Sequence, residues 1–361
     1  MIGGFLGAGK TTAIARLARH YMDQGRRVGI VTNDQAYGLV DTQSLRDQGF
    51  NVGEVPGACF CCKFQDLVET VATLRREQRP EVILAEPVGS CTDLVATVIE
   101  PIRAMYGDDY EVGPLAVLFK PEHGRKILRA ESGGGFSPQA EYIFLKQLEE
   151  ADIIAVNKTD KLSTVEREEL LRLVHDRFPG KDVLAVSSRT GDGVDQLISA
   201  LETPRDARDA MIDVDYDVYA AGEAELGWLN CSVTLQARDD QPFHLDNALL
   251  DLLRELSASM VHENVEPAHL KIYGQSGSNS AVVNLVDSTT EAELSIASGV
   301  ETSRAELIVN ARVAADPALL EKMIREALGH HASAHDRKCV VEEVQAFRPG
   351  RPVPTHRVTN S

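Results

Sequence analysis

Short apolar runs separated by stretches of helical spacing recur through the N-terminal half of the chain. Residues 27–32, 81–85, 114–119, 152–156 and 182–186 read as strands. Their near-continuous apolar character is what strands need when a parallel sheet is covered on both faces. Helices are predicted between them: Ile14, Leu17, Ala18 and Tyr21 share one face of a helix over 12–21, and further helices fall at 165–178 and 193–201. This alternation predicts an α/β domain over 1–203, a mostly parallel sheet with helices on both faces. Residues 120–139, with Gly133, Gly134 and Gly135, read as a loop. A charged stretch at 204–222 reads as a linker. Beyond it, apolar alternations at 228–235, 269–273, 281–286, 294–297 and 306–313, with helices at 245–259 and 317–328, predict a smaller α+β domain over 223–329. The remainder, 330–361, contains Pro349, Pro352 and Pro354 and reads as an extended tail.

At 361 residues the chain has room for two such domains, and 43% hydrophobic residues can fill their cores. A net charge of −18 disfavours nucleic acid and anionic membrane as partners. No apolar run reaches the length of a membrane span and no secretory leader pattern is present, so the expected compartment is the cytoplasm.

The stretch Gly4-Phe5-Leu6-Gly7-Ala8-Gly9-Lys10-Thr11 fits the phosphate-cradling P-loop pattern and opens directly into the helix that starts near Thr12. Its glycines let backbone N–H groups point at phosphate oxygens; Lys10 reaches the β- and γ-phosphates and the Thr11 hydroxyl suits Mg²⁺. Only Met1 and Ile2 precede Gly3, too few for the strand a P-loop normally leaves. The native start is therefore expected to lie upstream of Met1. Glu86 and Gly89 follow the strand at 81–85, at the strand ends where open α/β sheets bind ligands. The Glu86 carboxylate can hold the Mg²⁺ shell there, and Gly89 allows backbone close to the γ-phosphate. Asp34, with Asp41 farther along its loop, is a candidate to order Mg²⁺ or the attacking water. Asn157-Lys158-Thr159-Asp160 follows the strand at 152–156. The Asp160 carboxylate can accept from guanine N1 and N2, Asn157 can tie the loop to the P-loop, and the Lys158 stem can cover the base. Ser187 and Ser188 would add a base contact from the backbone.

Cys59, Cys61 and Cys62 place three of the six cysteines within four residues, which indicates metal or redox chemistry in a reducing compartment. Three thiols can converge on one borderline ion such as Zn²⁺, leaving a fourth position for Glu54, water or a partner's ligand. Cys91, Cys231 and Cys339 are isolated and read as buried small hydrophobes. His330, His331 and His335 cluster near the end of the last predicted helix; a metal role competes there with an ordinary helix terminus.

In this order, GGFLGAGKTT, CFCC, EPVG and NKTD resemble the CobW-type GTPases, related to the HypB and UreG metallocentre-assembly proteins. The resemblance covers the first domain and reaches the second only in layout. It implies a GTPase that couples nucleotide binding and hydrolysis to delivery of a metal, Zn²⁺ or Co²⁺, or of a metal cofactor such as that of cobalamin biosynthesis, to a client metalloprotein or cofactor-dependent enzyme. It also admits a homodimer. By the same resemblance Lys10, Thr11, Asp34 and Glu86 carry phosphate and Mg²⁺, Asp160 reads guanine, and Cys59, Cys61 and Cys62 hold the cargo. The chain departs from the pattern at Lys120-Pro121, where relatives often show Asp, and in lacking a long His-rich tract. Two rival readings are a P-loop kinase or ligase acting on a small molecule, and a non-catalytic metal or redox switch.

Overall fold

The computed structural model describes residues 1–36, 40–129, 137–203, 211–239, 241–285 and 290–359. They divide into two compact units: Met1–Gln35, Phe50–Gly222 and the chain from Arg351 onward in the first, Ala36–Gly49 and Glu223–Gly350 in the second. The chain runs β1 (Ile2–Gly4), α1 (Lys10–Asp23), β2 (Val28–Asp34), α2 (Val40–Asp47, in the second unit), β3 (Asn51–Pro56), α3 (Phe64–Gln78), β4 (Val82–Glu86) and α4 (Glu100–Tyr106). It continues through β5 (Ala116–Phe119), α5 (Pro121–Leu128), α6 (Pro138–Glu150), β6 (Ile153–Val156), α7 (Thr164–Arg177), β7 (Asp182–Ala185), α8 (Val194–Leu201) and α9 (Tyr216–Ala224).

Every strand pair described in the first unit is parallel, in the orders β3-β2-β4 and β1-β5-β6-β7. All residues of β5 and β6 are buried. Successive side chains point to opposite faces, so helices and loops cover both sides of the sheet, as the apolar runs predict. β1 is short, yet it pairs Ile2, Gly3 and Gly4 with Ala116, Val117 and Leu118. Gly4 has φ of 132°, and a Cβ there would lie 2.0 Å from the Leu118 carbonyl oxygen, so only glycine lets the P-loop leave this strand.

Two elements of this unit lay outside the sequence reading. β3 pairs only with β2 and buries only Val55, so an edge strand left little apolar pattern to read. α5 occupies part of the expected loop at 120–139, with Pro121 preset for the first helical turn and Lys120 extended before it; residues 130–136 of that loop lie outside the described residues. So do residues 204–210 of the expected linker, while α9 begins inside it at Tyr216.

The second unit continues with β8 (Gly227–Ala237), β9 (Phe243–His244), α10 (Leu245–His262), β10 (Pro267–Ser276), β11 (Asn279–Leu285), β12 (Glu293–Ile296), β13 (Glu301–Thr302), β14 (Arg304–Val313), α11 (Pro317–Ala334) and β15 (Arg337–Phe347). Six strands form an antiparallel sheet in the order β12-β11-β10-β14-β8-β15. Leu229, Cys231, Val233 and Leu235 of β8 and Leu307, Val309 and Ala311 of β14 alternate inward, onto the apolar faces of α10 and α11. Val286, expected to end a strand, lies outside the described residues.

Residues 330–361 are not one extended tail. α11 carries on to Ala334, and β15 pairs with β8 from Arg337–Ala237 to Phe347–Trp228. The apolar positions of β15 are diluted by Glu342 and Glu343, where the register shifts between Val341 and Glu343. α2 also joins this unit: the Val40 N–H donates to Asn310 Oδ1 (2.9 Å), Lys271 pairs with Asp41, and Tyr273 Oη donates to Asp47. Asp41 is thus engaged by the sheet of the second unit. Among the described residues no helix is long and apolar enough to cross a membrane.

Candidate nucleotide and metal site

The P-loop bridges β1 and α1 through Gly4, Gly7 and Gly9, all at positive φ. At Gly9 a Cβ would sit 2.6 Å from Asn157 Nδ2, so the loop backbone is packed closely on the Asn157–Asp160 loop. Lys10 is buried, and its Nζ donates to the Gly4 carbonyl at 3.1 Å, a bond a phosphate oxygen can replace. Thr11 Oγ1 donates to Glu86 Oε1 at 3.0 Å, joining the first turn of α1 to the end of β4. A hydroxyl and a buried carboxylate held together are oxygen donors suited to Mg²⁺, so the residues present fit that ion. Gly89 lies beside the lysine; a Cβ there would come within 3.2 Å of Lys10 Nζ and 2.8 Å of Leu6 Cδ2. Gln147, which no sequence signal marks, holds this segment by donating to the Gly89 and Cys91 carbonyls at 3.0 and 2.8 Å.

Asn157 organises the other end. Its Nδ2 donates to the Ala8 carbonyl (2.7 Å), and its Oδ1 accepts from the Ser188 N–H (2.9 Å) and hydroxyl (3.0 Å). One buried amide therefore joins the P-loop, the Asn157–Asp160 loop and the Ser187-Ser188 loop. Lys158 takes the left-handed conformation at φ 58°, turning the chain so that Asp160 Oδ1 accepts from Ser187 Oγ at 2.6 Å. Arg16 of α1 adds a brace missed in the sequence, donating to the Ser188 carbonyl at 2.8 Å and the Arg189 carbonyl at 2.7 Å.

Thr32 of β2 pairs with Glu86 of β4, so Asp34 and Glu86 leave the same strand-end edge of the sheet. The Asp34 carbonyl accepts from the Gly57 N–H at 3.0 Å, fixing the start of the cysteine turn. Asn33, beside it, makes the stronger tie. Its Nδ2 donates to the Val55 and Ala58 carbonyls, both at 2.7 Å, and its Oδ1 accepts from the Phe60 N–H at 2.9 Å. The end of β2 and the turn carrying the cysteines are thereby one hydrogen-bonded piece.

The three sulfurs converge: Cys59–Cys61 3.1 Å, Cys59–Cys62 3.2 Å and Cys61–Cys62 3.8 Å, all as free cysteines. Thiolates about 2.3 Å from a tetrahedral zinc lie about 3.8 Å apart, so a small spread of the cluster admits the ion. Sulfur contacts with Cys61, Cys62 and Cys91 hold the Cys59 thiol well below its usual range. Contact with Cys59, with burial, pushes Cys61 well up and Cys62 up to about 11. Cys91, read from sequence only as a core residue, is thus a fourth sulfur against the cluster.

Cys62 is the one partly exposed cysteine of the three, and the end of the chain lies over it. The Val353 N–H donates to Cys62 Sγ at 3.3 Å, and Thr355 donates to the Cys61 carbonyl (2.8 Å) and the Cys62 carbonyl (3.2 Å). Arg357 secures this segment: its Nε meets Oδ2 of the fully buried Asp93 at 2.7 Å, and Tyr216 Oη donates to the same oxygen at 2.7 Å. The histidines at 330, 331 and 335 belong to the second unit.

A parallel sheet whose strand ends carry a P-loop, a carboxylate beside its threonine and the Asn157–Asp160 loop defines a P-loop nucleotide-binding protein, here with a three-sulfur cluster. The model of the CobW/HypB/UreG nucleotide-binding domain matches residues 1–185, and the chain belongs to that family. It is 32% identical over 182 residues to the zinc chaperone YeiR of Escherichia coli strain K12, covering 48% of this chain and 49% of YeiR. It is likewise 32% identical over 179 residues to the zinc chaperone CobW of a Sinorhizobium species, covering 44% and 50%. The urease accessory protein UreG of Metallosphaera sedula is 26% identical over 218 residues, 55% of this chain and 90% of its own. The chain thus spans about half the length of the zinc chaperones it matches.

Proposed function

We propose that this chain is a GTP-binding and GTP-hydrolysing metallochaperone. It delivers a metal ion of the zinc or cobalt class, or a metal cofactor, to a client protein, and the nucleotide state controls the Cys59-Cys61-Cys62 site. The observation that carries the reading is Asn33. Its three hydrogen bonds tie the strand end that presents Asp34 to the turn that presents the sulfurs. Zinc is the first cargo to test, since two relatives are named zinc chaperones.

In this reading the loop N–H groups and Lys10 orient the phosphates, Asp160 accepts from the guanine edge, and Asn157 holds the two loops in register. Thr11, Glu86 and Asp34 would hold Mg²⁺, which neutralises phosphate charge when bound. Asp34 orders the attacking water, and positioning and electrostatics do most of the catalysis, as in other phosphoryl transfers. Shifts of Asp34 on hydrolysis reach the sulfurs through Asn33 and loosen their grip. The setting is cytoplasmic, and the client is a metalloprotein or cofactor-dependent enzyme.

The test is metal analysis of the purified chain with and without a GTP analogue, beside a Cys61→Ala/Cys62→Ala variant and Lys10→Ala, with GTP and ATP turnover compared. GTP-selective turnover lost in Lys10→Ala, and zinc retained only with the cysteines, support the proposal. Equal use of ATP would favour a small-molecule kinase or ligase, and zinc retention without any turnover would favour a non-catalytic switch.

A further inference from the structure

The three histidines left without a role above converge on one carboxylate. Glu255 stands on α10; His330 and His331 lie in the last turn of α11, and His335 directly follows it. His331 Nδ1 is 3.1 Å from Glu255 Oε1, and His335 Nε2 is 3.7 Å from the same oxygen. His330 Nδ1 lies 3.2 Å from Glu255 Oε2. His331 and His335, four residues apart, share one helix face, with ring centroids 4.6 Å apart. Ligand atoms of Glu255, His331 and His335 all lie within 4.8 Å of one another. A tetrahedral zinc about 2.0–2.1 Å from nitrogen and oxygen ligands sets those atoms about 3.3 Å apart. The two imidazole–carboxylate spacings, 3.1 and 3.7 Å, bracket that value, so an ion could enter with side-chain shifts.

We infer that Glu255, His331 and His335 form a second site for a zinc-class divalent cation, built of nitrogen and oxygen donors, with a remaining position for water or His330. Imidazole and carboxylate suit Zn²⁺ and Co²⁺. The site needs neither nucleotide nor sulfur.

The competing account is a hydrogen-bonded latch between α10 and α11, and Arg337 separates the two. Its NH1 lies 2.9 Å from His331 Nε2. Guanidinium only donates, so Nε2 accepts and the Nδ1–H faces Glu255. A cation takes the Nδ1 lone pair, and the ring proton moves to Nε2, where it meets the Arg337 donor. The imidazole stays neutral and keeps one proton, but two donors now oppose each other. Arg337 therefore works against the ion, and its removal should tighten binding. In a latch alone, losing Arg337 changes stability and leaves metal affinity unmoved.

The test uses the full chain carrying Cys59→Ser/Cys61→Ser/Cys62→Ser, titrated with Co²⁺ alone and then with Zn²⁺ in competition. One equivalent of Co²⁺ should bind with visible d–d bands and no sulfur-to-cobalt charge-transfer band. Glu255→Gln and His335→Ala should each weaken it about tenfold or more, the scale of lost ligand support at metal sites. Arg337→Met, which keeps the side-chain volume over the Phe243 ring, should tighten it several-fold. Where the serine variant fails to fold, the same bands are read in the wild-type chain beside the sulfur charge-transfer band, which reports the cysteines separately. Absence of the d–d-only equivalent, its survival in both ligand variants, or no tightening in Arg337→Met overturns the site. A sulfur band indifferent to nucleotide would instead count against the proposed function and leave this site standing.

Discussion

Replacing Asn33 with alanine should disconnect the nucleotide from the metal while sparing both sites. The side chain is buried and makes three hydrogen bonds, at 2.7, 2.7 and 2.9 Å. Alanine leaves the Ala58 carbonyl and the N–H of the buried Phe60 without this partner. A buried group left unsatisfied costs about 1–3 kcal/mol. Two such groups, one of them only partly shielded, put the local cost at about 2–4 kcal/mol. That cost falls on the turn at 57–62, because Asn33 makes none of the P-loop hydrogen bonds. Coupling between two binding sites is typically about 1–3 kcal/mol, or about 5–150-fold in affinity. The clamp is therefore large enough to carry all of it. The assay is zinc affinity by competition with a chromophoric chelator, in the presence of a non-hydrolysable GTP analogue and then of GDP. The wild-type ratio should be about fivefold or more, and the Asn33→Ala ratio within about twofold of one. GTP affinity should stay close to wild type and thiol-bound zinc should still be detected. A folded Asn33→Ala protein that keeps the wild-type ratio refutes the reasoning.

Asn157→Ala removes the amide shared by the P-loop, the base loop and the Ser188 loop, so GTP affinity should drop by about tenfold or more, measured by fluorescent-nucleotide titration; unchanged affinity would remove Asn157 from the site. Arg357→Ala should free the segment over Cys62, and timed alkylation with mass spectrometry should show Cys62 labelled several-fold faster while Cys59 stays slow. Glu150 is fully buried, and desolvation pushes its carboxyl up to about 8, opposed by hydrogen bonds from Val95 and Thr92. The folded state thus holds a proton that the unfolded chain releases, so stability is full below the ordinary carboxyl range and falls as pH rises toward 8. The full fall is of order 5 kcal/mol. Glu150→Gln should flatten that slope in denaturant titrations at pH 5 and pH 8, with the variant the more stable at pH 8; identical slopes would contradict it.

The parts of the molecule legible in its sequence are those with a strong local signature. The strands at 114–119 and 152–156 are apolar on both faces, and the P-loop and Asn157–Asp160 motifs fix residue types at fixed spacing. The three cysteines read as one cluster because they fall within four residues. What escaped depends on the fold bringing distant residues together. Asn33 looks like a turn former until β3 and the cysteine turn are placed beside it, and Gln147 and Arg16 act through carbonyls that no sequence pattern marks. Cys91 is far from Cys59 in sequence and meets it only through the fold. β15 is hidden in the sequence because Glu342 and Glu343 interrupt its alternation at the register shift. The segment at 351–358 has no hydrophobic period at all; backbone groups and Arg357 hold it in place.

The most direct measurement is zinc X-ray absorption on the loaded chain, frozen once with a GTP analogue and once with GDP. The account predicts three sulfur ligands at about 2.3 Å with the analogue and fewer sulfurs, replaced by oxygen or nitrogen, with GDP. The same sulfur count and distance in both nucleotide states, with equal zinc affinity, would contradict it.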